Sequence, residues 1–250
     1  MKLSVCIDAV YNGWDPAEVM RELKTLGVGA VEFWSWWDKD VERIDILRRE
    51  FDIKICAFCT KMVSLTDSSQ RAVYLAGLKE TILVAKKLGC GLVISQVGNE
   101  ITDVPRETQH MSIVDGLKMC APMLEGEGIT LVFEPLNILV DHAGYYLWQS
   151  DEAAEIVSEV GSPNVRMLFD IYHQQVMEGD VIRRSIKLLG AIGHMHAAGN
   201  PGRRELDIGE INYSNVFTAL ETAGYAGYVG LEYFPERDPN NGLVPWHRYF

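Results

Sequence analysis

The chain has 250 residues, of which 48% are hydrophobic and 23% charged, and its formal net charge is −12 at pH 7. This composition is typical of a globular protein, and the length fits one domain spanning residues 1–250. The acidic balance argues against a nucleic-acid-binding protein, because such proteins use basic side chains to displace counterions. No apolar run approaches the roughly 20 residues of a membrane-spanning helix, and the first residues lack the features of a signal peptide, so we expect a cytoplasmic protein.

Short apolar runs alternate with amphipathic stretches from one end of the chain to the other. The runs predict strands at residues 3–7, 30–34, 53–58, 92–96, 129–133, 165–169, 192–195 and 228–231. The stretches between them predict about seven full helices. The predicted helix boundaries are an N-cap at Asp15, a helix at 40–51, a helix end at Leu88, a kink or end at Pro122, N-caps at Ser150 and Ser214, and one helix from Asp170 to Leu189.

This alternation predicts an α/β fold with a parallel sheet. Eight strand–helix units in 250 residues fit a closed (β/α)8 TIM barrel better than a doubly wound sheet. No GxGxxG or GxxxxGK[ST] motif follows a predicted strand, so the usual nucleotide-binding folds have no support. The tail after Glu232 is short and residues 238–242 are typical of a turn, so we expect the eighth helix to be shortened or replaced by residues 244–250.

The fifth to eighth predicted strands each end on a side chain that can bind a metal ion. These side chains are Glu134, Asp170, His196 and Glu232. The carboxyl ends of barrel strands meet at one mouth, where three carboxylates repel one another unless a cation neutralises them. Oxygen-rich ligation with one imidazole favours Mn²⁺ or Mg²⁺, and Co²⁺ is also compatible. The alternative is that each is an isolated polar residue at a strand end.

Three further polar side chains are candidates for the same mouth. His173 follows Asp170 by three residues and either reaches the mouth or faces solvent at the start of a helix. His194 and His196 share one strand; we expect only one to face the centre and assign His196, which is nearer the strand end. Glu32 ends an apolar run across the barrel, and a hydrogen-bonding role is as open for it as a catalytic one.

Tryptophans cluster after the first two predicted strands. Trp34, Trp36 and Trp37 follow the second strand, and Trp14 follows the first. Aromatic clusters usually belong to a core, but here one or two members are expected to wall the pocket and exclude water. Trp14 and Trp36 are therefore candidates for substrate contact, together with His173 and Glu32.

Several segments resemble the xylose isomerase-like barrel superfamily and, within it, the hydroxypyruvate isomerase family. The matching segments are residues 133–137, 170–174, 193–196, 201–205 and 224–233. The resemblance covers most of the chain and is strongest between residues 131 and 235. The order Glu, Asp, His, Glu is specific for the superfamily and much less specific for the substrate.

The resemblance implies a role for each matching side chain. Glu134 and Glu232 correspond to paired acid/base glutamates that also touch the metal, and Asp170 and His196 complete its ligands. His173 matches a substrate-binding histidine of the ketose 3-epimerases, and Arg203 matches the arginine of the family's PGR loop. The implied reaction converts hydroxypyruvate to tartronate semialdehyde by proton transfer through an enediolate, with Arg203 holding the carboxylate.

Other functions stay open at this point. Hydroxypyruvate isomerases tend to carry glutamine where this chain has His196, whereas ketose 3-epimerases carry histidine but also an acidic residue where this chain has Val140. A lyase acting on 3-oxo-sugars and a non-catalytic metal-dependent sugar sensor are further alternatives. Apurinic endonucleases share the barrel, but they bind DNA and use more histidines than the six found here. A small keto-acid or sugar is the expected partner, and a homo-oligomer formed through exposed Trp246 and Tyr249 is left open.

Overall fold

Eight parallel strands form one closed barrel in chain order in the computed structural model, which describes all 250 residues. The strands are β1 (Lys2–Cys6), β2 (Ala30–Phe33), β3 (Lys54–Cys59), β4 (Leu92–Ser95), β5 (Thr130–Phe133), β6 (Val165–Asp170), β7 (Ile192–Ala197) and β8 (Tyr228–Leu231). Each strand pairs with the next, and β1 closes the barrel by pairing with β8 through the register Val5–Leu231. The predicted (β/α)8 fold is confirmed.

Helices connect the strands around the outside of the barrel. They are α1 (Ile7–Val10), α2 (Pro16–Thr25), α3 (Val41–Glu50), α4 (Arg71–Leu88), α5 (Arg106–Glu127), α6 (Ser150–Val160), α7 (Ile171–Met177), α8 (Val181–Lys187), α9 (Tyr213–Thr222) and α10 (Pro239–Leu243). The eighth unit ends in the five-residue α10 and a 3₁₀ segment, Val244–Tyr249, so the expected short eighth helix is confirmed. No helix combines the length and the apolar character needed to cross a membrane.

The main hydrophobic core lies between the barrel and these helices. It contains outward-facing strand residues such as Val5 and Val31 together with inward-facing helix residues such as Leu23. A second, small cluster consists of Ala57, Cys59, Ile94, Val132 and Leu168. Because side chains alternate along a strand, the two clusters occupy opposite faces of the same sheet.

Three predicted helix boundaries are wrong, and of the two outcomes expected at Pro122, a kink or an end, the end does not occur. The helix α5 continues through Pro122 to Glu127, because it buries side chains on both sides of the proline and ends only at the left-handed Gly128. The N-cap of α6 is Gln149, and the N-cap of α9 is Asn212, whose side chain accepts a hydrogen bond from the Asn215 N–H. The single helix predicted after Asp170 is broken into α7 and α8, since Gly179 and Asp180 both have positive φ angles that no α-helix continues through.

The two aromatic residues expected to be exposed near the C-terminus are buried. Trp246 and Tyr249 are only 6% and 7% exposed. Both pack edge-to-face on Phe217 of α9, with ring centroids 5.5 and 5.2 Å away. The short C-terminal segment therefore takes the place of a full eighth helix by covering α9 with aromatic rings, and these rings are not a free surface.

Candidate active site

Four polar side chains converge at the carboxyl end of the barrel. Glu134 and Glu232 directly follow β5 and β8, Asp170 is the last residue of β6, and His196 lies one residue before the end of β7. Strand register sets Asp170 opposite His196 and His196 opposite Gly230. One potential ligand atom from each of the four side chains lies within 4.8 Å of all the others, and every one of these residues is buried.

Three atoms of this cluster have no hydrogen-bond partner in the protein. They are Oε1 of Glu134, Oδ2 of Asp170 and Nδ1 of His196. The His196 Nδ1 atom lies 3.7 Å from Oε1 of Glu134 and 3.4 Å from Oε2 of Glu232, so these atoms point at one small volume. Buried polar atoms are costly when unpaired, and a divalent cation bound among them would satisfy all of them. Carboxylate oxygens with one imidazole fit Mn²⁺, Mg²⁺ or Co²⁺.

The electrostatics of the cluster are uneven. Burial raises the pKa of Asp170 to about 7, with the nearby Glu134 charge acting in the same direction and Arg203 opposing both. Burial also favours a raised pKa at Glu232, but the charges of Arg203 and His196 outweigh it and hold that pKa well below its ordinary value. Glu232 is therefore held ionised, whereas the ionised form of Asp170 would be stabilised by a further positive charge.

Arg203 is the cation of the site. Its Nη2 donates a hydrogen bond to Oε2 of Glu232, and its Nε donates to the Glu232 carbonyl at 3.3 Å. The guanidinium lies between the rings of Tyr172 and Phe234, 5.6 and 5.8 Å from their centroids. The backbone of Arg203 is left-handed, with φ +56°, and its side chain reaches Glu232 at the barrel mouth.

His194 and His196 both face the barrel interior, so the expectation that only one does so is wrong. Residues two apart on a strand share a face. Nε2 of His194 and Nε2 of His196 each lie 3.0 Å from a carboxylate oxygen of Glu32, which is 1% exposed. Gly230 provides the space for this group, since a Cβ atom there would lie 2.4 Å from Oε1 of Glu32 and 2.7 Å from Cδ2 of His196.

His173 lies at the barrel mouth and not on the solvent-facing side of its helix. Its Nδ1 accepts a hydrogen bond from Nδ2 of Asn137 at 2.7 Å. Its Nε2 has no partner and lies 3.5 Å from Oδ2 of Asp170. Burial, helped by the charge of Arg203, lowers the pKa of His173 well below its ordinary value, so the ring is neutral and its free nitrogen points into the site.

A cavity of about 970 Å³ opens above the cluster. Besides Glu134, His173, His196, Arg203 and Glu232, its wall includes Trp34, Cys59, Met62, Ser64, Gln96, Gly98, Asn99, Glu100, Ile101, Leu136, His142, Tyr145 and Phe234. Its volume is near the upper end of the range for small-molecule pockets. Its wall combines charged and apolar side chains, which suits a small polar ligand.

The structure does not bring three of the predicted substrate contacts to this cavity, namely Glu32, Trp14 and Trp36. Trp14 is 42% exposed and packs against Tyr11, and the Nε1 atom of Trp36 donates to Thr81 at 3.2 Å. The tryptophan in the cavity wall is Trp34, whose Nε1 donates to Oε1 of Glu232 at 2.5 Å. The sequence pattern is sufficient to identify Trp34, because Trp34 lies two residues after Glu32 and its side chain is therefore expected on the same face of the sheet.

Residues 20–248 match the sequence family described as the xylose isomerase-like TIM barrel. This match covers most of the chain and agrees with the closed barrel and with the position of the cluster at its carboxyl end. The chain belongs to this family.

Among xylose isomerase-like barrels, the chain is similar to enzymes with named isomerase activities. It is 37% identical over 141 residues to a 2-oxo-tetronate isomerase of Cupriavidus necator, an alignment that covers 56% of this chain and 54% of the relative. It is 35% identical over 167 residues to the hydroxypyruvate isomerase of Escherichia coli. That alignment covers 67% of this chain and 64% of the relative. The chain therefore spans between half and two thirds of these curated relatives.

A solved member of similar shape covers the whole barrel. The crystal structure described as an AP endonuclease, family 2, from Brucella melitensis superposes with a TM-score of 0.94 and 28% identity, over 100% of this chain and 99% of that one.

Proposed function

We propose that this protein is a metal-dependent isomerase of small hydroxy-carbonyl acids, with hydroxypyruvate and tartronate semialdehyde as the substrate–product pair. The observation that carries this proposal is the convergence of Glu134 and Glu232, with three unpartnered ligand atoms, on the floor of the cavity. The names of the Escherichia coli and Cupriavidus necator relatives support the same reaction class. Glu134, Asp170, His196 and Glu232 are the proposed ligands of Mn²⁺, Mg²⁺ or Co²⁺.

The two glutamates are suited to move a proton between adjacent carbons. They belong to strands three apart around the barrel, so they approach a bound substrate from different sides. Glu232 is held ionised and accepts the proton from the hydroxymethyl carbon, and Glu134, which starts protonated, delivers its proton to the former carbonyl carbon. Exchange with solvent then removes the proton from Glu232 and returns one to Glu134. The hydroxyl proton passes to the former carbonyl oxygen, so the formula is unchanged. A divalent cation held by Glu134, Asp170, His196 and Glu232 would polarise the substrate carbonyl and offset the negative charge that develops on the substrate oxygens.

Arg203 is suited to hold the carboxylate of the substrate. Its Nε and Nη2 are directed to Glu232, and its Nη1 makes no hydrogen bond within the protein. A guanidinium binds carboxylates through paired N–H donors, which makes it the natural partner for a keto-acid. His173, with its free Nε2 beside Asp170, is placed to hydrogen-bond a substrate oxygen. Glu32 acts below the cavity floor and not on the substrate.

The cavity volume leaves room for a four-carbon acid. A volume of about 970 Å³ exceeds what a three-carbon acid fills, and the Cupriavidus necator relative is named for 2-oxo-tetronate. We therefore include 2-oxo-tetronate as the second candidate substrate. The name of the Brucella melitensis structure does not lead us to propose DNA cleavage, because the net charge of −12 opposes binding to a polyanion.

The proposal is tested with purified protein stripped of metal and then supplied with Mn²⁺, Mg²⁺ or Co²⁺. Hydroxypyruvate, 2-oxo-tetronate and a panel of ketoses are incubated in D₂O, and the products are followed by NMR. We expect metal-dependent entry of deuterium at carbon and a moved carbonyl group. An inverted stereocentre with the carbonyl in place identifies an epimerase instead. Tight ligand binding without any turnover identifies a sensor, and turnover that is unchanged in the chelated protein contradicts the metal-dependent mechanism.

The variant Asp170→Asn tests the proposed ligand set. Its side-chain oxygen can still accept the hydrogen bond that Asp170 accepts from the Tyr172 N–H at 2.8 Å, but the variant has one negative charge fewer among the ligands. We expect this variant to keep its fold and to lose metal affinity together with activity.

A further inference from the structure

A buried carboxylate below the cavity floor joins the two histidines of β7. Oε2 of Glu32 lies 3.0 Å from Nε2 of His196, and Oε1 lies 3.0 Å from Nε2 of His194. The Ser4 hydroxyl is also hydrogen-bonded to Oε1 of Glu32. Glu32, His194 and His196 are each no more than 2% exposed, so no water competes for these contacts.

The hydrogen-bonding inventory of these groups fixes the state of the His196 ring. An ionised carboxylate only accepts hydrogen bonds, so the nitrogen facing it must carry the proton. A metal ion that binds at the other nitrogen takes the place of any proton there, while the proton that faces the carboxylate stays. The other nitrogen of His196 is Nδ1, which is buried, has no partner and points at Glu134 and Glu232.

We infer that Glu32 is a positioning residue that keeps the proton of His196 on Nε2 and so presents Nδ1 as the metal ligand. This inference rests on the proposed metal centre and gives Glu32 a role that does not involve contact with substrate. A partner that fixes the tautomer of a metal-binding histidine typically changes metal affinity by about 10- to 100-fold. Nε2 of His194 lies 3.0 and 3.1 Å from the two carboxylate oxygens of Glu32, and this contact keeps the carboxylate facing β7 and His196.

A second possible metal site, which includes Glu32 and His194, predicts a different stoichiometry when a metal ion is titrated into the protein. Glu32, Cys56 and His194 also have ligand atoms within 4.8 Å of one another. A metal ion bound by these three side chains would replace the contacts that Nε2 of His194 makes to both oxygens of Glu32, so Glu32 would act as a metal ligand and not as the partner of His196. Our inference therefore requires one bound metal ion per chain, at the cavity floor.

The first test uses the wild-type protein with ¹⁵N-labelled histidine. NMR of the metal-free protein and of the Mg²⁺-loaded protein detects which imidazole nitrogen of His196 carries a proton. We expect a slowly exchanging proton on Nε2 in both forms. A His196 ring with its proton on Nδ1 alone overturns the inference, and this result needs no variant that might fail to fold.

The second test measures Mn²⁺ affinity and stoichiometry by calorimetry. For Glu32→Leu we expect affinity to fall by about 10- to 100-fold and the Nε2 proton signal to be lost. Ser4→Ala is the matched control, because it removes a contact to Glu32 without touching either histidine, and its affinity should stay within about threefold of wild type. Glu32→Asp, which keeps the charge, should recover part of the lost affinity.

The outcomes separate this inference from the proposed function. If the wild-type protein binds no Mn²⁺, the metal centre itself is contradicted. If the wild type binds Mn²⁺ and Glu32→Leu, folded by circular dichroism, binds it equally well, only the role of Glu32 is overturned. A stoichiometry of two ions per chain also overturns that role.

Discussion

The indole Nε1 of Trp34 donates a hydrogen bond of 2.5 Å to Oε1 of Glu232. Trp34 follows β2 and Glu232 follows β8, so this bond passes over the end of β1, which lies between them in the barrel. Arg203 donates a hydrogen bond to Oε2 of Glu232, so each carboxylate oxygen of Glu232 accepts one hydrogen bond from a neighbouring side chain. Glu134, in contrast, has an Oε1 atom without any partner. The two glutamates of the site are therefore in different environments, one with both carboxylate oxygens hydrogen-bonded and one with an oxygen that has no partner.

This asymmetry predicts the effect of Trp34→Phe. The variant keeps an aromatic wall but removes the donor to Glu232, and hydrogen bonds to charged groups contribute about 1.5–3 kcal/mol. We expect kcat to fall by about tenfold or more while the melting temperature changes little. Steady-state kinetics provide the measurement, and Trp36→Phe is the matched control because Trp36 lies outside the cavity wall. Equal kinetics for wild type and Trp34→Phe contradict the prediction.

Replacing either glutamate by glutamine tests the paired proton transfer. Glu134→Gln and Glu232→Gln keep the size of the side chain and remove its ability to carry a proton. General acid–base catalysis contributes about 10²- to 10⁴-fold, so we expect kcat to fall by at least about 100-fold in each variant. The exchange of substrate protons with D₂O is measured alongside turnover. A variant that keeps near-wild-type turnover and exchange contradicts the assignment of that glutamate.

His110 predicts a pH dependence of stability that is independent of the active site. Its ring bridges α5 and α6, with Nδ1 3.2 Å from Glu152 and Nε2 3.0 Å from Glu159. Burial favours a lowered pKa for His110, but the two carboxylates outweigh it and raise this pKa above its ordinary value. A raised folded-state pKa means that the stabilisation is fully present below the unfolded-state pKa of about 6.5 and is lost as pH rises through the folded-state value.

The measurement is urea denaturation of wild type and His110→Gln at pH 6 and pH 8.5. We expect the difference in the free energy of unfolding between the two proteins to be larger at pH 6 than at pH 8.5. The comparison with the variant cancels the titration of other groups. A difference that is constant, or that grows with pH, shows that the raised pKa is not the cause.

Gly199 predicts how strongly the loop that carries Arg203 depends on close backbone packing. A Cβ atom at this position would lie 2.4 Å from the carbonyl oxygen of Glu205 and 2.5 Å from that of Ile208. Overpacking of this kind typically costs about 1–3 kcal/mol. We expect Gly199→Ala to lower the melting temperature and to raise KM by displacing Arg203. Gly29→Ala is the control, since a Cβ atom there meets no atom within 4 Å, and an unchanged KM in Gly199→Ala contradicts the prediction.

The barrel was predictable from the sequence because its strands are short apolar runs and the next residue along the chain is often polar. Glu134 and Glu232 follow β5 and β8 in this way, and the same pattern at four successive strands predicts the four-residue cluster. Local boundaries were less predictable, because tertiary burial overrides local preference. At Pro122 the helix α5 keeps its inward-facing residues buried despite the lost hydrogen bond.

The surroundings of the cluster were harder to predict for two physical reasons. Side chains along a strand alternate with a period of two residues, so His194 lies on the same face as His196, and the expectation that only one of them faces the centre is wrong. The choice among tryptophans failed for a different reason, since residues after the end of a strand no longer follow its alternation. Trp34 still continues the face of Glu32, but Trp36 lies in the following loop and turns to Thr81 on α4.

Position 230 carries no functional group, yet it decides whether the polar interior of the barrel can be assembled. One added methyl group would occupy the volume where the carboxylate of residue 32 and the ring of residue 196 meet. A substitution at this position would therefore disrupt the candidate site while the four proposed metal ligands remained unchanged in sequence. The candidate site therefore depends on Gly230, which contributes no functional group and only leaves the space that Glu32 and His196 occupy.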